Sequence, residues 1–287
     1  MKFCENMSSK DSKPSVFFHV GLPKTASTFL QRKVFPVFQG IHFVKKHDFK
    51  HHEKIIASAS KPVVLLSIEL DLDSKDGAKK VNTIANKYNN VKPIVVFRKH
   101  GSWVGSKYKY YLRKHGTASF EEYFDPESNK GVLSHNHLLF YDKIKLLEEK
   151  YGERPLVMFQ EEFKNYPWEA IAVIANFVGA SYREQDIKIA TVKKSYSEHS
   201  LFYVRKLNRW YNYDHSGIKN KSLRFIYKKF SGGILHLTAF FAGITEPSQE
   251  KSKKVLPKAA VKKINERYQK DWNKCIEYAS ADRKVYL

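Results

Sequence analysis

The chain has 287 residues, 42% of them hydrophobic, and a formal net charge of +22. This length suits one α/β domain with a buried core, and no linker, repeat or low-complexity block divides the sequence. Two cysteines, Cys4 and Cys275, provide neither a disulfide framework nor a cysteine metal site. The charge predicts anionic partners, but the lysines are scattered and no nucleic-acid-binding motif appears, so we expect no nucleic acid partner.

The N-terminus is polar. Residues 1–14 predict a flexible tail, followed by one domain over 15–287. We find no apolar signal segment at the start, and the longest apolar run, 232–244, is shorter than the ~20 residues that span a bilayer. These features lead us to expect a cytoplasmic protein.

The first informative segment is an apolar run over 17–20 that leads into Gly21-Leu22-Pro23-Lys24. A helical pattern then begins, which predicts a strand, a tight loop and a helix N-terminus. Such an N-terminus suits a phosphate-like anion, because its N–H groups lack acceptors and the helix dipole is positive there. Lys24 adds a full charge, and three hydroxyl donors follow it: Thr25, Ser27 and Thr28. The loop is a poor triphosphatase loop, because Pro23 and not a glycine stands directly before Lys24.

A segment over 62–70 predicts a second strand, which ends in Ser67-Ile68-Glu69. The apolar run 94–97 predicts a buried parallel strand with Arg98 at its carboxyl end. A helical pattern follows and carries Ser106. A guanidinium fork and a hydroxyl suit a phosphate monoester. Because ligands of open α/β sheets bind outside the carboxyl ends of strands, two anion sites there fit a bisphosphorylated nucleotide.

Later segments continue the alternation of strands and helices. The segment 156–163 predicts a strand followed by an acidic turn, and a helix then runs to Gly179. A further helix is predicted around 268–273. The whole pattern favours the α/β class.

The loop from Gly21 to Gln31 has the form G-x-P-K-T-x-[ST]-T-x-L-Q. It resembles the 5′-phosphosulfate loop of sulfotransferases that use 3′-phosphoadenosine 5′-phosphosulfate (PAPS), with Ala26 where the family usually has glycine. The segment from Arg98 resembles the family's 3′-phosphate element at three positions, Arg98, Ser106 and Tyr108. It departs from that element at two others, with His100 for a common proline and Trp103 for a second arginine. The resemblance covers about residues 16–200 and the C-terminal tail.

The resemblance implies a single central parallel β-sheet flanked by helices, with a P-loop-like nucleotide-binding site. It implies an enzyme that transfers a sulfuryl group from PAPS to an acceptor hydroxyl, releases 3′-phosphoadenosine 5′-phosphate and needs no metal. We expect a carbohydrate or glycolipid acceptor, and the positive charge suits an anionic one. The residues predicted to hold the nucleotide are Lys24, Thr25, Ala26, Ser27, Thr28 and Phe29 at the 5′-phosphate, and Arg98 and Ser106 at the 3′-phosphate.

Three residues are predicted to be catalytic. Lys24 would neutralise charge on the leaving oxygen. Glu69 is the first candidate for the general base, because it ends a strand beside the nucleotide loop. His47 is the alternative base, and Asp48 could orient it.

The segment 200–257 resembles the family least, and we expect it to bind the acceptor. Within it, 219–244 combines basic and aromatic residues with an apolar run. It predicts either a basic helix packed on the domain or a peripheral membrane contact. Two alternatives to a sulfotransferase stay open: an atypical P-loop nucleotide kinase, which would need magnesium, and a non-catalytic polyanion-binding protein. The sequence leaves the oligomeric state open.

Overall fold

The computed structural model describes residues 14–189, 196–211, 217–244 and 255–287. Cys4 and almost all of the predicted tail lie outside the described residues. The described chain divides into two compact units. The first comprises 14–98, 139–189 and 271–287, and the second comprises 99–138, 196–211, 217–244 and 255–270. The predicted domain boundaries stay a prediction. Within the described ranges, no helix has the length and apolarity needed to cross a membrane.

The first unit contains the β-sheet. Its strands are β1 Ser15–Gly21, β2 His42–Val44, β3 Val63–Glu69, β4 Lys92–Phe97 and β5 Leu156–Phe159. Its α-helices are α1 Ser27–Phe29, α2 His52–Ala57, α3 Lys75–Lys87, α6 Phe140–Tyr151, α7 Gln160–Asn165, α8 Pro167–Val178 and, from Asp271 onward, α12 Gln269–Ser280. The chain stays helical after α1, as a π-helix over Leu30–Val34 and a 3₁₀ turn over Phe35–Val37. Further 3₁₀ turns span Phe49–His51 and Glu184–Asp186.

All described strand pairs are parallel, in the order β2-β3-β1-β4-β5. The central strand β1 is flanked by β3, with Gly21 opposite Glu69, and by β4, with Val20 opposite Val95. A parallel sheet buried on both faces requires near-continuous apolar strands, which the sequences of β1, β3 and β4 provide. The predicted α/β fold with a central parallel sheet flanked by helices is confirmed.

Both faces of the sheet carry a core. On one face, Phe17 and Leu65 pack with the helical run after α1 and with α8, including Leu30 and Ile174. On the other face, Phe18 meets the edge of Tyr151 from α6 at 6.2 Å between ring centroids. Helix α8 ends at Gly179, as predicted, where a φ of 67° favours glycine.

The second unit is helical in its described part. Its helices are α4 His100–Arg113, α5 Phe120–Tyr123, α9 Glu198–Trp210, α10 Lys221–Ile244 and α11 Lys258–Arg267, and a 3₁₀ turn spans His135–Leu138. Helix α4 is tied to α11 by the Gly101 N–H, which donates to Asn265 Oδ1 at 2.8 Å. Helix α9 is tied to the end of α4 by Asn208 Nδ2, which donates to the Leu112 carbonyl at 2.8 Å.

Candidate nucleotide-binding site

The loop between β1 and α1 has an unusual backbone. Lys24 has a φ of 71° and Ala26 a φ of 53°, in the left-handed region that non-glycine residues seldom adopt. Turns that contain left-handed residues can align successive backbone N–H groups as a binding site for an anion. Strained positions of this kind cluster at ligand-binding loops. The positive φ at Ala26 also supplies a physical reason why glycine suits this position.

Three consecutive N–H groups of the loop, those of Ala26, Ser27 and Thr28, have no acceptor within the described chain. They follow the carboxyl end of the central strand, where the helix begins. The next N–H, that of Phe29, donates to the Ala26 carbonyl at 2.8 Å. The predicted role of Phe29 at the 5′-phosphate stays a prediction, and its N–H is engaged in the first helical turn.

The hydroxyl groups of the loop divide into two sets. Thr25 Oγ1 donates to the Leu22 carbonyl at 2.7 Å, and Ser27 Oγ donates to the same carbonyl at 3.2 Å. Both side chains are buried, so their hydrogen bonds to Leu22 stabilise the conformation of the loop. Thr28 is half-buried, and its hydroxyl has no partner among the residues described. Of the three hydroxyls, Thr28 is the one left to donate to a bound anion.

Gly21 allows the loop to close on the end of β1. A Cβ built on Gly21 would stand 2.7 Å from Ser27 Oγ and 3.2 Å from His19 Cε1. Both distances are shorter than ordinary van der Waals contact. Any side chain at this position would therefore displace Ser27, whose N–H is one of the three unpaired donors.

The sequence analysis did not predict a buried polar network on the strands that lead to the loop. His19 is fully buried in β1, and its Nδ1 lies 2.7 Å from Ser67 Oγ on β3. Gln31 Nε2, on the helical run after α1, donates to the same oxygen at 3.0 Å. Burial lowers the pKa of His19 to about 3, so the imidazole is neutral. A polar residue inside an otherwise apolar strand was the available signal.

The two candidate bases differ in their position on the sheet. Glu69 ends β3 directly opposite Gly21 and is half-buried. The Leu70 N–H donates to the Gly21 carbonyl at 2.9 Å, which ties this strand end to the loop. His47 is exposed in the turn after β2, one strand further out, and no hydrogen bond joins it to Asp48. Of the two candidates, Glu69 is the one whose strand end pairs with the end of β1.

The predicted 3′-phosphate residues fall in different units. Arg98 directly follows β4, at the same edge of the sheet as the loop, and is half-buried. Burial lowers the pKa of Arg98, and the negative charge of Glu161 opposes that shift. Ser106 lies in the second unit, half-buried on α4, and its predicted role stays a prediction.

A cavity of about 510 Å³ in the first unit lies at the other end of the strands. Its lining includes Lys92 and Leu156, the first residues of β4 and β5, together with Phe177 and Arg154. The loop follows the carboxyl end of β1. The cavity is therefore separate from the loop.

Comparison with known proteins gave matches only among solved structures. No family model matches the chain, and no curated protein matches it. A sulfotransferase from Alicyclobacillus acidocaldarius has 16% identity and a TM-score of 0.49, with 69% of this chain and 93% of that chain covered. The mouse sulfotransferase SULT7A1 complexed with PAP has 13% identity and a TM-score of 0.43, with 94% and 90% covered. Both neighbours are sulfotransferases, and likeness at this level assigns no activity to the present chain.

Proposed function

We propose that this protein is a PAPS-dependent sulfotransferase that transfers a sulfuryl group to an acceptor hydroxyl. The observation that carries the proposal is a set of three N–H groups, Ala26 to Thr28, that find no acceptor among the described residues and lie beside Lys24 at the end of the central strand. Consecutive backbone donors at a helix N-terminus suit the 5′-phosphate of a nucleotide. The motif that resembles the 5′-phosphosulfate loop has these same residues.

The residues of the first unit supply three functions. The loop N–H groups and the Thr28 hydroxyl hold the 5′-phosphate. The Arg98 guanidinium holds the 3′-phosphate through bidentate hydrogen bonds. Lys24 places a positive charge at the bridging oxygen, where negative charge develops as the bond to sulfur breaks. Ser106 is proposed as an additional donor to the 3′-phosphate on the basis of its sequence position.

The reaction is an in-line displacement at sulfur. The acceptor oxygen forms the new bond to sulfur, and the bond between sulfur and the phosphate oxygen breaks, which releases 3′-phosphoadenosine 5′-phosphate. The acceptor proton is proposed to pass to the carboxylate of Glu69, and the pairing of Glu69 with Gly21 in the sheet register supports this choice. Positioning and electrostatics supply most of the rate in such transfers.

The acceptor is proposed to be a hydroxyl of a carbohydrate or glycolipid. The net charge of +22 supports an anionic acceptor, because long-range attraction raises its encounter rate.

Calorimetric titration tests the nucleotide site. The purified protein is titrated with 3′-phosphoadenosine 5′-phosphate, with ATP–magnesium and with 5′-AMP. We expect the bisphosphate to bind best, and Arg98→Met to weaken its binding by about 10–100-fold through loss of a charge-assisted pair. Arg32→Met is the matched control, because Arg32 is exposed on the helical run after α1. A preference for ATP–magnesium would favour the kinase, and equal effects of Arg98→Met and Arg32→Met would favour a polyanion binder.

Turnover with a confirmed acceptor tests the catalytic roles. Lys24→Met should abolish transfer in a protein that stays folded. Glu69→Gln should lower kcat by about 10²–10⁴-fold with little change in nucleotide affinity, since a general base contributes in that range. Unchanged kcat in Glu69→Gln would move the base to His47, which His47→Gln would then test.

A further inference from the structure

Helix α10 has a row of exposed apolar side chains among the residues that the structure describes. Leu223, Ile226, Phe230 and Leu237 have exposed fractions of 49%, 58%, 63% and 57%. Their spacing of 3, 7 and 14 residues from Leu223 places all four within one narrow arc of the helix. Single exposed apolar side chains are common, but an aligned row on one helix marks an interaction surface.

The lysines and arginines of the segment 217–244 are not balanced by acidic residues within that segment. Between 217 and 244 the sequence holds five basic residues and no acidic residue. Lys219, Lys221 and Lys229 are exposed, and Arg224 is half-buried. On the helix, Lys221, Arg224 and Lys229 fall outside the apolar arc. The exposed Phe225 lies on the same side as these basic residues, with Lys229 Nζ 4.8 Å from the centre of its ring.

Helix α9 extends the basic surface. It packs against α10 and ends in Arg209 and Trp210, both exposed, with Trp210 at 86%. The one acidic residue of α9, Glu198, is already engaged, because it pairs with Lys109 at 2.8 Å and accepts the Leu256 N–H at 3.0 Å. No described acidic side chain of α9 or α10 is therefore available to repel an anionic partner.

We propose that α10 binds the surface of an anionic lipid bilayer, with its apolar face in the acyl boundary and its basic residues among the headgroups. The charge pattern selects this occupant. An apolar face next to lysines and arginines, with exposed Phe and Trp and no acidic residue, is the composition of interfacial membrane helices. Two copies of this chain packed through α10 would bring two sets of lysines together, which like-charge repulsion opposes. The proposal does not depend on the sulfotransferase assignment.

Vesicle co-sedimentation of the full chain tests the proposal. The probes are phosphatidylcholine vesicles and phosphatidylcholine vesicles with about 30 mol% phosphatidylserine, at about 0.05 M and about 0.5 M NaCl. We expect binding to the anionic vesicles alone, and at least about tenfold weaker binding in high salt, because the headgroup attraction is screened.

Two pairs of variants, each with a matched control, separate the contributions. Leu223→Ser with Phe230→Ser should lower vesicle binding at least about tenfold, whereas Val132→Ser, at an apolar residue with 59% exposure on another part of the second unit, should change it less than about twofold. Lys221→Glu with Lys229→Glu should also lower it at least about tenfold. Lys75→Glu with Lys79→Glu, the same charge change on exposed residues of α3, should lower it less. Circular dichroism checks that each variant is folded.

Three results would overturn the proposal. The first is a lack of binding to anionic vesicles by the unmodified chain. The second is equal loss in the α10 and α3 charge variants, which would mean that net charge alone drives binding. The third is a dimer, detected by light scattering, that dissociates in the variant Leu223→Ser with Phe230→Ser while vesicle binding is unaffected. That result would assign the apolar face to contact with a second copy of the chain.

Discussion

The strongest prediction about the fold concerns Arg283 and Glu162, a buried ion pair that locks the C-terminal tail to α7. Arg283 Nη1 and Nη2 donate to the two carboxylate oxygens of Glu162 at 2.7 and 2.8 Å. Glu162 is fully buried, and the Arg283 side chain is only 9% exposed. The N–H groups of Phe159 and Tyr286 complete the carboxylate's hydrogen bonding, at 2.9 and 3.0 Å. Arg283 Nη2 also donates to the Val157 carbonyl at 2.7 Å.

The perturbation is Arg283→Met, which keeps most of the side-chain volume and removes the charge. It deletes the two charge-assisted hydrogen bonds to Glu162, each worth about 1.5–3 kcal/mol, together with the bond to the Val157 carbonyl, and it leaves Glu162 buried without a cation. The two backbone N–H groups that donate to Glu162 remain, which makes the loss in the free energy of unfolding smaller. We therefore expect the free energy of unfolding to fall by about 3–5 kcal/mol, the range for a broken buried pair.

Urea unfolding followed by circular dichroism measures this loss. Arg183→Met is the control, because Arg183 pairs with Asp186 at 3.0 Å on the surface and is 65% exposed, which predicts a loss of less than about 1 kcal/mol. The double variant Arg283→Met with Glu162→Met should cost at least about 1.5 kcal/mol less than the sum of the two single variants. A loss below about 1 kcal/mol for Arg283→Met, or additive effects in the double variant, would refute the reasoning.

Three further predictions concern the loop and its support. Ala26→Gly should raise the free energy of unfolding by about 0.5–1 kcal/mol, measured by urea unfolding, because glycine adopts the φ of 53° without strain; a loss of stability would contradict this. Gly21→Ala should weaken binding of the bisphosphate nucleotide at least about tenfold by calorimetry, since the added Cβ meets Ser27 Oγ at 2.7 Å, whereas Gly217→Ala has open space and should leave it unchanged. His19 should make stability depend on pH: its pKa is about 3 when folded and about 6.5 when unfolded, so only the unfolded state gains a proton between these values. The free energy of unfolding should therefore fall by about 1.4 kcal/mol per pH unit as the pH drops from 6.5 towards 4.5. His19→Gln should remove this slope. An unchanged slope in that variant would show that His19 is not its source.

The sequence predicted the parts of the fold that depend on local pattern. Strands β1, β3, β4 and β5 are apolar runs, and the end of α8 is marked by Gly179, so both could be recognised one segment at a time. Strand β2 was not predicted, because His42–Val44 is three residues long and has no periodicity to detect. Helix α10 joins the basic segment to the apolar run, and the sequence predicted it only in part. The sequence also left open whether this segment packs on the domain or contacts a membrane.

The sequence by itself determined the chemistry of the loop. A strand, Gly21, Lys24 and a helix N-terminus are neighbours along the chain, and that order alone predicts backbone N–H groups without intrahelical acceptors at the loop. Only the tertiary structure decided that Glu69 lies opposite Gly21, that His19 meets Ser67, and that Arg283 closes on Glu162. The first two pairings follow from the register of parallel strands, and the third from the return of the chain after more than a hundred residues. Local sequence patterns determine neither, because both depend on contacts between segments that are distant along the chain.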